Sequence, residues 1–274
     1  MKWNPMAPRT YWHKQGTKPL YPDVIWSKPE NKQAAGKLLI IGGHAYGFSA
    51  PAIAYQEAVA AGIGSARVLI PDHIKKQLEH FQGPSLEISY APSTPSGSFA
   101  SSALAEMHDA ASWADSILLA GDLGKNSETA IVIEKLLSAT QRAVTITQDA
   151  AEYVIMHPET ILTRSNTALV LSITQLQRLF KNNKSPVAIT HTMDLMHLID
   201  ALHDFTQDNP VAIIVRHDDT MLVAYGGDVS STIYPHYSET TWQIPVAAHT
   251  AVWWLQNPTK VFQAMTSALI QIDD

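Results

Sequence analysis

One stretch near the start of the chain, residues 37–51, constrains the fold more than any other. After Lys37 come four apolar residues, Leu38–Ile41, which run into Gly42-Gly43 and are followed by an alanine-rich segment containing Pro51. A short apolar run that ends in glycines is typical of a buried strand, and proline favours the first turn of a helix. A second apolar run then ends at Pro71. The segment therefore predicts a strand–helix–strand unit with parallel strands and a right-handed crossover.

The Gly42-Gly43 turn is a candidate ligand site, because backbone amides collect where a strand of an α/β sheet turns into a helix. The simpler alternative is a tight turn that needs glycine geometry. The turn has neither the G-x-G-x-x-G spacing nor the Lys-Ser/Thr pair of a P-loop. His44 follows directly and either lines the same site or is an ordinary polar loop residue.

Further apolar runs alternate with helical patterns along the chain. The predicted strand 116–120 continues into Gly121-Asp-Leu-Gly124, and the strand 143–147 is followed by Asp149. Ligand-facing groups gather at such strand ends, although the loop is alternatively a plain turn and Asp149 a helix cap. We predict further short strands over 160–163 and 168–171, and an antiparallel hairpin over 211–225. The expected fold is α/β, with a central mostly parallel sheet, helices on both faces and a late antiparallel patch.

Composition narrows the class of protein. The chain has 274 residues, a formal net charge of −6, 46% hydrophobic residues and no cysteine. It can bury a large core, has no basic footprint for nucleic acid, and cannot form disulfides or a zinc–thiolate site. The first residues lack the apolar core of a signal peptide, and no apolar run reaches the roughly 18 residues of a membrane span. We therefore expect a cytoplasmic protein with neither nucleic-acid nor membrane partners.

Residues 1–36 form a separate segment in this interpretation, and residues 37–274 form one domain. The segment is rich in proline and aromatic residues, a composition that argues against regular elements. We expect an arm that packs on the body or on a neighbouring subunit, or alternatively a partly ordered leader.

Three other patterns favour structural over catalytic interpretations. His197, Asp200 and Asp204 share a helix face opposite an apolar stripe, so we interpret them as a solvated face rather than a metal site. Trp253-Trp254 lies inside a predicted helix over 246–255, where core or subunit packing is favoured over base stacking. The chain has no Gly-x-Ser-x-Gly elbow for a serine nucleophile.

Three segments follow the pattern of one known family. The first unit contains Ile41-Gly-Gly43, a Tyr-Gly pair, Ala50-Pro-Ala52 and Ala60-Ala-Gly-Ile-Gly64. Further on, Leu118-Leu-Ala-Gly-Asp-Leu-Gly124 is similar to a "GPGLG" loop and Asp149-Ala150 to the end of a "DADAL" strand. With these residues the chain resembles the ribokinase-like superfamily and, more narrowly, the ADP-dependent NAD(P)H-hydrate dehydratases, over about residues 30–272.

The resemblance implies a lyase that removes water from hydrated NAD(P)H, with ADP as co-substrate and Mg²⁺ as a candidate ion. It implies that Gly43, Tyr46 and Ala50 line the nicotinamide side, and that Gly124 and Asp149 line the rest of the cleft. The other implied nucleotide-binding positions are Gly42, Gly121 and Arg216. It also implies a homo-oligomer.

The chain departs from the family where the chemistry is expected. The family's "GSGD" motif opens a helix with backbone amides for phosphate and an acid/base aspartate, and belongs near residue 250. The chain there reads Ile244-Pro-Val-Ala-Ala-His249, with neither glycine nor aspartate. Ala247-Ala248 then become the candidate amide donors and His249 the candidate proton-transfer residue. The family's "HPGE" segment also has no counterpart at 172–174, and Thr147 replaces the first aspartate of "DAD".

Three functions follow from this pattern. The first is the dehydratase activity that the resemblance implies. The second is a non-catalytic relative, a pseudoenzyme that binds a nucleotide or a partner protein. The third is a small-molecule kinase of the same superfamily, which lacks the same aspartate.

Overall fold

The predicted apolar runs form the centre of one ten-stranded sheet in the computed structural model, which describes residues 9–78, 86–234 and 242–270. The strands are β1 (Trp12–Gln15), β2 (Lys37–Gly42), β3 (Ser65–Pro71), β4 (Ile88–Ala91), β5 (Ser116–Gly121), β6 (Ala143–Thr147), β7 (Thr167–Leu171), β8 (Val211–His217), β9 (Thr220–Tyr225) and β10 (Asp228–Ile233). The helices are α1 (Pro22–Trp26), α2 (Ser49–Ala60), α3 (Lys75–Leu78), α4 (Leu104–Trp113), α5 (Ser127–Ala139), α6 (Gln148–Met156), α7 (Glu159–Leu162), α8 (Ile173–Asn182), α9 (Leu195–Asp208), α10 (Gln243–Gln256) and α11 (Val261–Ser267).

The strand order, β1-β10-β9-β8-β7-β6-β5-β2-β3-β4, confirms the expected fold class. From β8 to β4 all neighbouring strands are parallel, while β9 is antiparallel to both β8 and β10. The mostly parallel sheet and the late antiparallel patch are therefore both present. Because parallel strands end at the same edge, the loops after β2, β5, β6, β7 and β8 lie along one edge of the sheet.

The core lies on both faces of this sheet. Successive residues of β2 alternate between two apolar clusters, with Leu39 and Ile41 in one and Leu38 and Ile40 in the other. The first cluster includes residues of α4, α5, α6, α8 and α9, and the second includes residues of α2, α10 and α11. None of the helices in the described residues is long and apolar enough to span a membrane.

Two predicted elements differ from the observed ones. Residues 160–163, predicted as a strand, lie mostly in helix α7, which follows Pro158 and buries Ile161 and Leu162. The helix predicted over 246–255 begins earlier, at Gln243. Trp242, the described residue before Gln243, makes no side-chain cap that would mark this start.

The expectation that residues 1–36 lack regular elements is wrong for their described part. Strand β1 pairs in parallel with β10 and extends the sheet, and Pro22 opens helix α1. The carboxamide of Gln15 is buried and donates to Thr232 Oγ1 at 3.1 Å and to the carbonyl of Thr266 at 2.8 Å. The arm therefore packs on the body, while its division from residues 37–274 as a separate unit stays a prediction.

A carboxylate on α9 holds the start of this arm. Asp200 accepts hydrogen bonds from Arg9 Nε at 2.6 Å and from Tyr11 Oη at 2.7 Å. The Arg9 hydrogen bond holds the pKa of the Asp200 carboxyl below its usual value. A depressed carboxyl pKa stabilises the fold above the unfolded-state pKa, and that stability is lost as pH falls through the folded-state pKa.

We expect Asp200→Asn to lower the Tm at pH 7, because it removes the charge that Arg9 and Tyr11 bind. The difference from the wild type should close as the pH falls below about 4, where the carboxyl is protonated in the unfolded chain. Thermal melts from pH 3 to 8 measure it. The control is Asp204→Asn, one turn further along α9 and exposed. An equal, pH-independent loss in both variants would contradict the role of Asp200.

Candidate functional site

Two glycine turns meet at the carboxyl edge of the sheet. Gly42 and Gly121 are paired across β2 and β5, and the amide of Gly43 donates to the carbonyl of Gly121 at 3.0 Å. A Cβ atom on Gly42 would lie 2.5 Å from that carbonyl oxygen, so the two backbones approach as only glycine allows. The structure thus brings the predicted residues Gly42 and Gly43 together with Gly121, which lies far from them in the sequence.

Asp122, in the glycine turn after β5, caps the start of α2. Asp122 has a left-handed backbone (φ 56°), and its Oδ2 accepts from the Ala50 amide at 2.8 Å and from Ser49 Oγ at 3.2 Å. A carboxylate at a helix N-terminus is stabilised by the unpaired amides there. The backbone amide of Ala50, a residue predicted to line the nicotinamide side, is therefore bound to Asp122.

Asp149 lies at the same edge and holds the second turn. Its Oδ2 accepts from the amides of Leu123 at 2.9 Å and Gly124 at 3.1 Å, while its Oδ1 is buried with no hydrogen-bond partner among the described residues. Burial raises the pKa of the Asp149 carboxyl, and the nearby Asp122 charge raises it further, against the hydrogen bond from Gly124. Asp149 thus braces the loop rather than capping α6, which was the structural alternative.

Aromatic residues border these turns. His44 Nδ1 donates to the carbonyl of Asp122 at 2.8 Å, and the ring of Tyr46 lies edge-on to the imidazole with centroids 6.1 Å apart. Tyr46 is 93% exposed, so its ring is free to meet a ligand. A shallow cavity beside it is lined by residues 44–48 together with Ile74, Gln77 and Leu78.

Three glutamines that the sequence analysis did not single out join the next strands to α10. Gln243 Nε2 donates to the carbonyl of Val170 at 3.1 Å and to Gln175 Oε1 at 3.0 Å. Gln175 Nε2 donates to the carbonyl of Gln148 at 2.8 Å, and Gln148 Nε2 donates to Gln243 Oε1 at 3.3 Å. Only Gln175 had a readable signal, because it completes a Ser-x-x-Gln capping box with Ser172 at the start of α8.

His249 is not part of the cluster formed by Gln148, Gln175 and Gln243. Its Nε2 lies 3.1 Å from the carboxylate of Glu57, on the packed pair α2 and α10. The residue comes nearly two turns after the start of α10 at Gln243. Ala247 and Ala248 also lie inside the helix and are fully buried, so their amides do not open it and their proposed role as phosphate donors is wrong.

Arg216 and the paired tryptophans complete the placement of the predicted residues. Arg216 lies near the end of β8, two strands from β6, where its Nε donates to the carbonyl of Asp218 at 2.7 Å. Trp253 and Trp254 are each 3% exposed, which confirms core packing. Asp200 is bound to Arg9 and Tyr11, and His197 is hydrogen-bonded to Asp194.

The charge of the site is unusual for phosphate binding. Asp122 binds the Ala50 amide at the start of α2 and Asp149 binds two amides of the 121–124 turn, and neither carboxylate forms an ion pair with a lysine or arginine among the described residues. A phosphate at these amides would replace a bound carboxylate and lie beside a second negative charge. The amides of Ala50, Leu123 and Gly124 are therefore not free for a nucleotide phosphate, while the two carboxylates are of a ligand type that Mg²⁺ accepts.

Neither a protein-family model nor a curated protein sequence matches the chain. Solved structures do match. A ribokinase-like superfamily protein from Enterococcus faecalis superposes with a TM-score of 0.71 at 15% identity, over 95% of this chain and 86% of that one. A hypothetical protein from Streptococcus mutans gives 0.67 at 16% identity, over 90% and 85%. The ADP/ATP-dependent NAD(P)H-hydrate dehydratase from Bacillus subtilis, co-crystallised with ATP and Mg²⁺, gives 0.61 at 12% identity, over 92% and 86%.

The chain therefore has a ribokinase-like fold, and the resemblance seen in its sequence is confirmed at the level of the fold. The neighbours include a nucleotide-binding enzyme. Identities of 12–16% support the fold alone.

Proposed function

We propose that this protein is a non-catalytic ribokinase-like protein that binds a nucleoside-type small molecule at the carboxyl edge of its sheet. One observation carries the proposal: Asp122 binds the Ala50 amide at the start of α2, and Asp149 binds the Leu123 and Gly124 amides of the second glycine turn. Amides that could bind an anion at this edge are thus used by carboxylates of the chain itself.

The start of α10 supports the absence of catalysis. Gln243 opens that helix, and a carboxamide does not exchange protons near neutral pH. Its hydrogen bonds to Val170 and Gln175 fix it in place. His249, the candidate for proton transfer, is bound to Glu57 instead. A dehydratase or kinase would need another acid/base residue.

The remaining groups favour the uncharged parts of a ligand. Tyr46 offers an exposed ring for stacking on a base or a nicotinamide ring, and Gln148 adds a half-buried carboxamide next to Asp149. Sugar hydroxyls can donate to carboxylates, whereas phosphates are repelled by them. We therefore infer a ligand recognised through its ring and ribose, with ADP or ATP bound less tightly than the parent nucleoside.

Calorimetry with adenosine, nicotinamide riboside, NADH, ADP and ATP–Mg²⁺ tests this proposal. We expect binding of a nucleoside, weaker binding of its phosphorylated forms, and no NADH regeneration from hydrated NADH with ADP or ATP. Asp122→Asn should narrow the gap between ADP and adenosine, because it removes one negative charge at the turn. Asp115→Asn, which changes a charge at the amino end of β2, is the control and should leave the gap unchanged. Binding of ADP in strong preference to adenosine would contradict the proposal.

The second candidate is the dehydratase activity itself. The likeness to the Bacillus subtilis dehydratase and the motifs in residues 37–71 support it. Regeneration of NADH by the wild-type chain, lost on Gly43→Trp but kept in His249→Gln, would favour this activity and a different acid/base residue. A kinase of the same fold has no such motif support. A homo-oligomer and a cytoplasmic location stay predictions.

A further inference from the structure

A second concave site lies between α5 and α6–α7, which pack on the same face of the sheet. Its walls are aliphatic and come from both sides, with Ile133 and Leu137 on α5 facing Val154 and Ile161. The cavity measures about 330 Å³, within the range of small-molecule sites. None of its lining residues belongs to the glycine turns or to the glutamine cluster.

The rim of this groove is apolar where a surface is usually polar. Ile131, which lines it, is 48% exposed. An amphipathic surface helix normally keeps such a side chain on its buried face. The aliphatic walls and the exposed Ile131 together give the groove the apolar surface of a binding site.

One formal charge faces this apolar groove. Among the described residues that line it, Glu134 is the only acidic one, and none is a lysine or arginine. The Glu134 carboxylate has no ion pair or side-chain hydrogen bond among the described residues; its contact with Ser138 is made by the backbone carbonyl. A ligand with an apolar body and a single positive charge would complement both features.

One residue that lines the groove, Tyr153, also contacts the 121–124 loop of the first site. The ring of Tyr153 lines the groove, while its hydroxyl donates to the carbonyl of Gly124 and accepts from the amide of Asn126 at 3.3 Å. A molecule in the groove therefore contacts the side chain that holds the 121–124 loop. The groove is a separate site that shares one residue with the support of the first.

From this geometry we infer that the α5–α6 groove binds a small aliphatic or aromatic monoamine, with its apolar body between the two helices and its ammonium group at Glu134. The occupant is small because a cavity of about 330 Å³ lies at the lower end of the range for small-molecule sites. It is cationic because the unpaired carboxylate of Glu134 is the one acidic group among the described lining residues, which include no lysine or arginine.

The test uses 2-phenylethylamine, 2-phenylethanol and phenylacetate, which share one apolar body and differ in charge. Ligand-observed NMR and calorimetry at pH 8 should give the order amine, alcohol, acid, with a Kd on the order of 1 mM for the amine. Glu134→Gln should weaken the amine about two- to fivefold, to the level of the alcohol, because the pair is partly exposed to solvent. Glu159→Gln, next to the groove but not lining it, should change nothing.

A second variant tests the groove itself. Ala130→Leu adds apolar volume on the lining face of α5 and keeps a good helix former, so the fold should persist while all three probes lose binding. Failure of the amine to bind, equal binding of amine and acid, or equal effects of Glu134→Gln and Glu159→Gln would each overturn the inference.

Discussion

Gly121→Ala is expected to lower the free energy of unfolding by about 3 kcal/mol or more, the largest loss we predict for a single methyl group. Gly121 has φ 111°, a region that residues with a side chain rarely adopt. Its added Cβ would lie 2.7 Å from the Cβ of Gln148 and 3.1 Å from Asp149 Oδ1. The Cβ of Gln148 cannot move unless its backbone moves too. The variant therefore carries both the backbone strain at residue 121 and the steric overlap with Gln148.

A matched glycine separates these two costs. Gly226, in the β9–β10 turn, also has a positive φ, 59°, but a Cβ there would meet no atom of the described residues within 4 Å. Gly226→Ala should therefore cost only the conformational strain, about 1 kcal/mol. Urea denaturation of both variants measures the difference. Equal losses would mean that the loop after β5 moves away from Gln148 without cost, and that the turns are not tightly packed.

The turn at Gly121 also shows how far the sequence could predict this protein. Apolar runs that end in glycine predicted β2, β5 and the parallel core, because burial on both faces leaves a local pattern. The contact between Gly42 and Gly121 could be expected only from the fold, since 78 residues separate the two turns. The resemblance over residues 37–71 supplied that fold.

The site could be predicted only in part, for a physical reason. Asp122 and Asp149 bind amides of other segments, and such tertiary caps leave no spacing in the sequence. Gln243 and Gln148 act through hydrogen bonds between helices and strands, and glutamine belongs to no motif that marks this role. Likewise β1 forms because β10 offers a free edge, not because four residues have a strong strand pattern.

The proposed function depends on the Asp149 carboxylate binding loop amides, and the stability of Asp149 variants tests that contact. Asp149→Ala leaves the Leu123 and Gly124 amides without their acceptor and should cost about 2 kcal/mol. Asp149→Asn keeps an oxygen acceptor for both amides and removes the buried charge. It should therefore cost about 1 kcal/mol less than the alanine variant.

A sharper test is how the unfolding free energies of the wild type and of Asp149→Asn depend on pH. Burial raises the pKa of the Asp149 carboxyl above that of the unfolded chain, so the native state binds the proton more tightly. The stability that Asp149 contributes is then full below the unfolded-state pKa of about 3.9 and is lost as pH rises through the folded-state pKa. The unfolding free energy of wild type minus that of Asp149→Asn should fall with rising pH above about 4, and then level off. A difference that rises with pH would mean that the ionised carboxylate is the favoured form. The loop amides would then outweigh burial, and the edge would accept negative charge more readily than we propose.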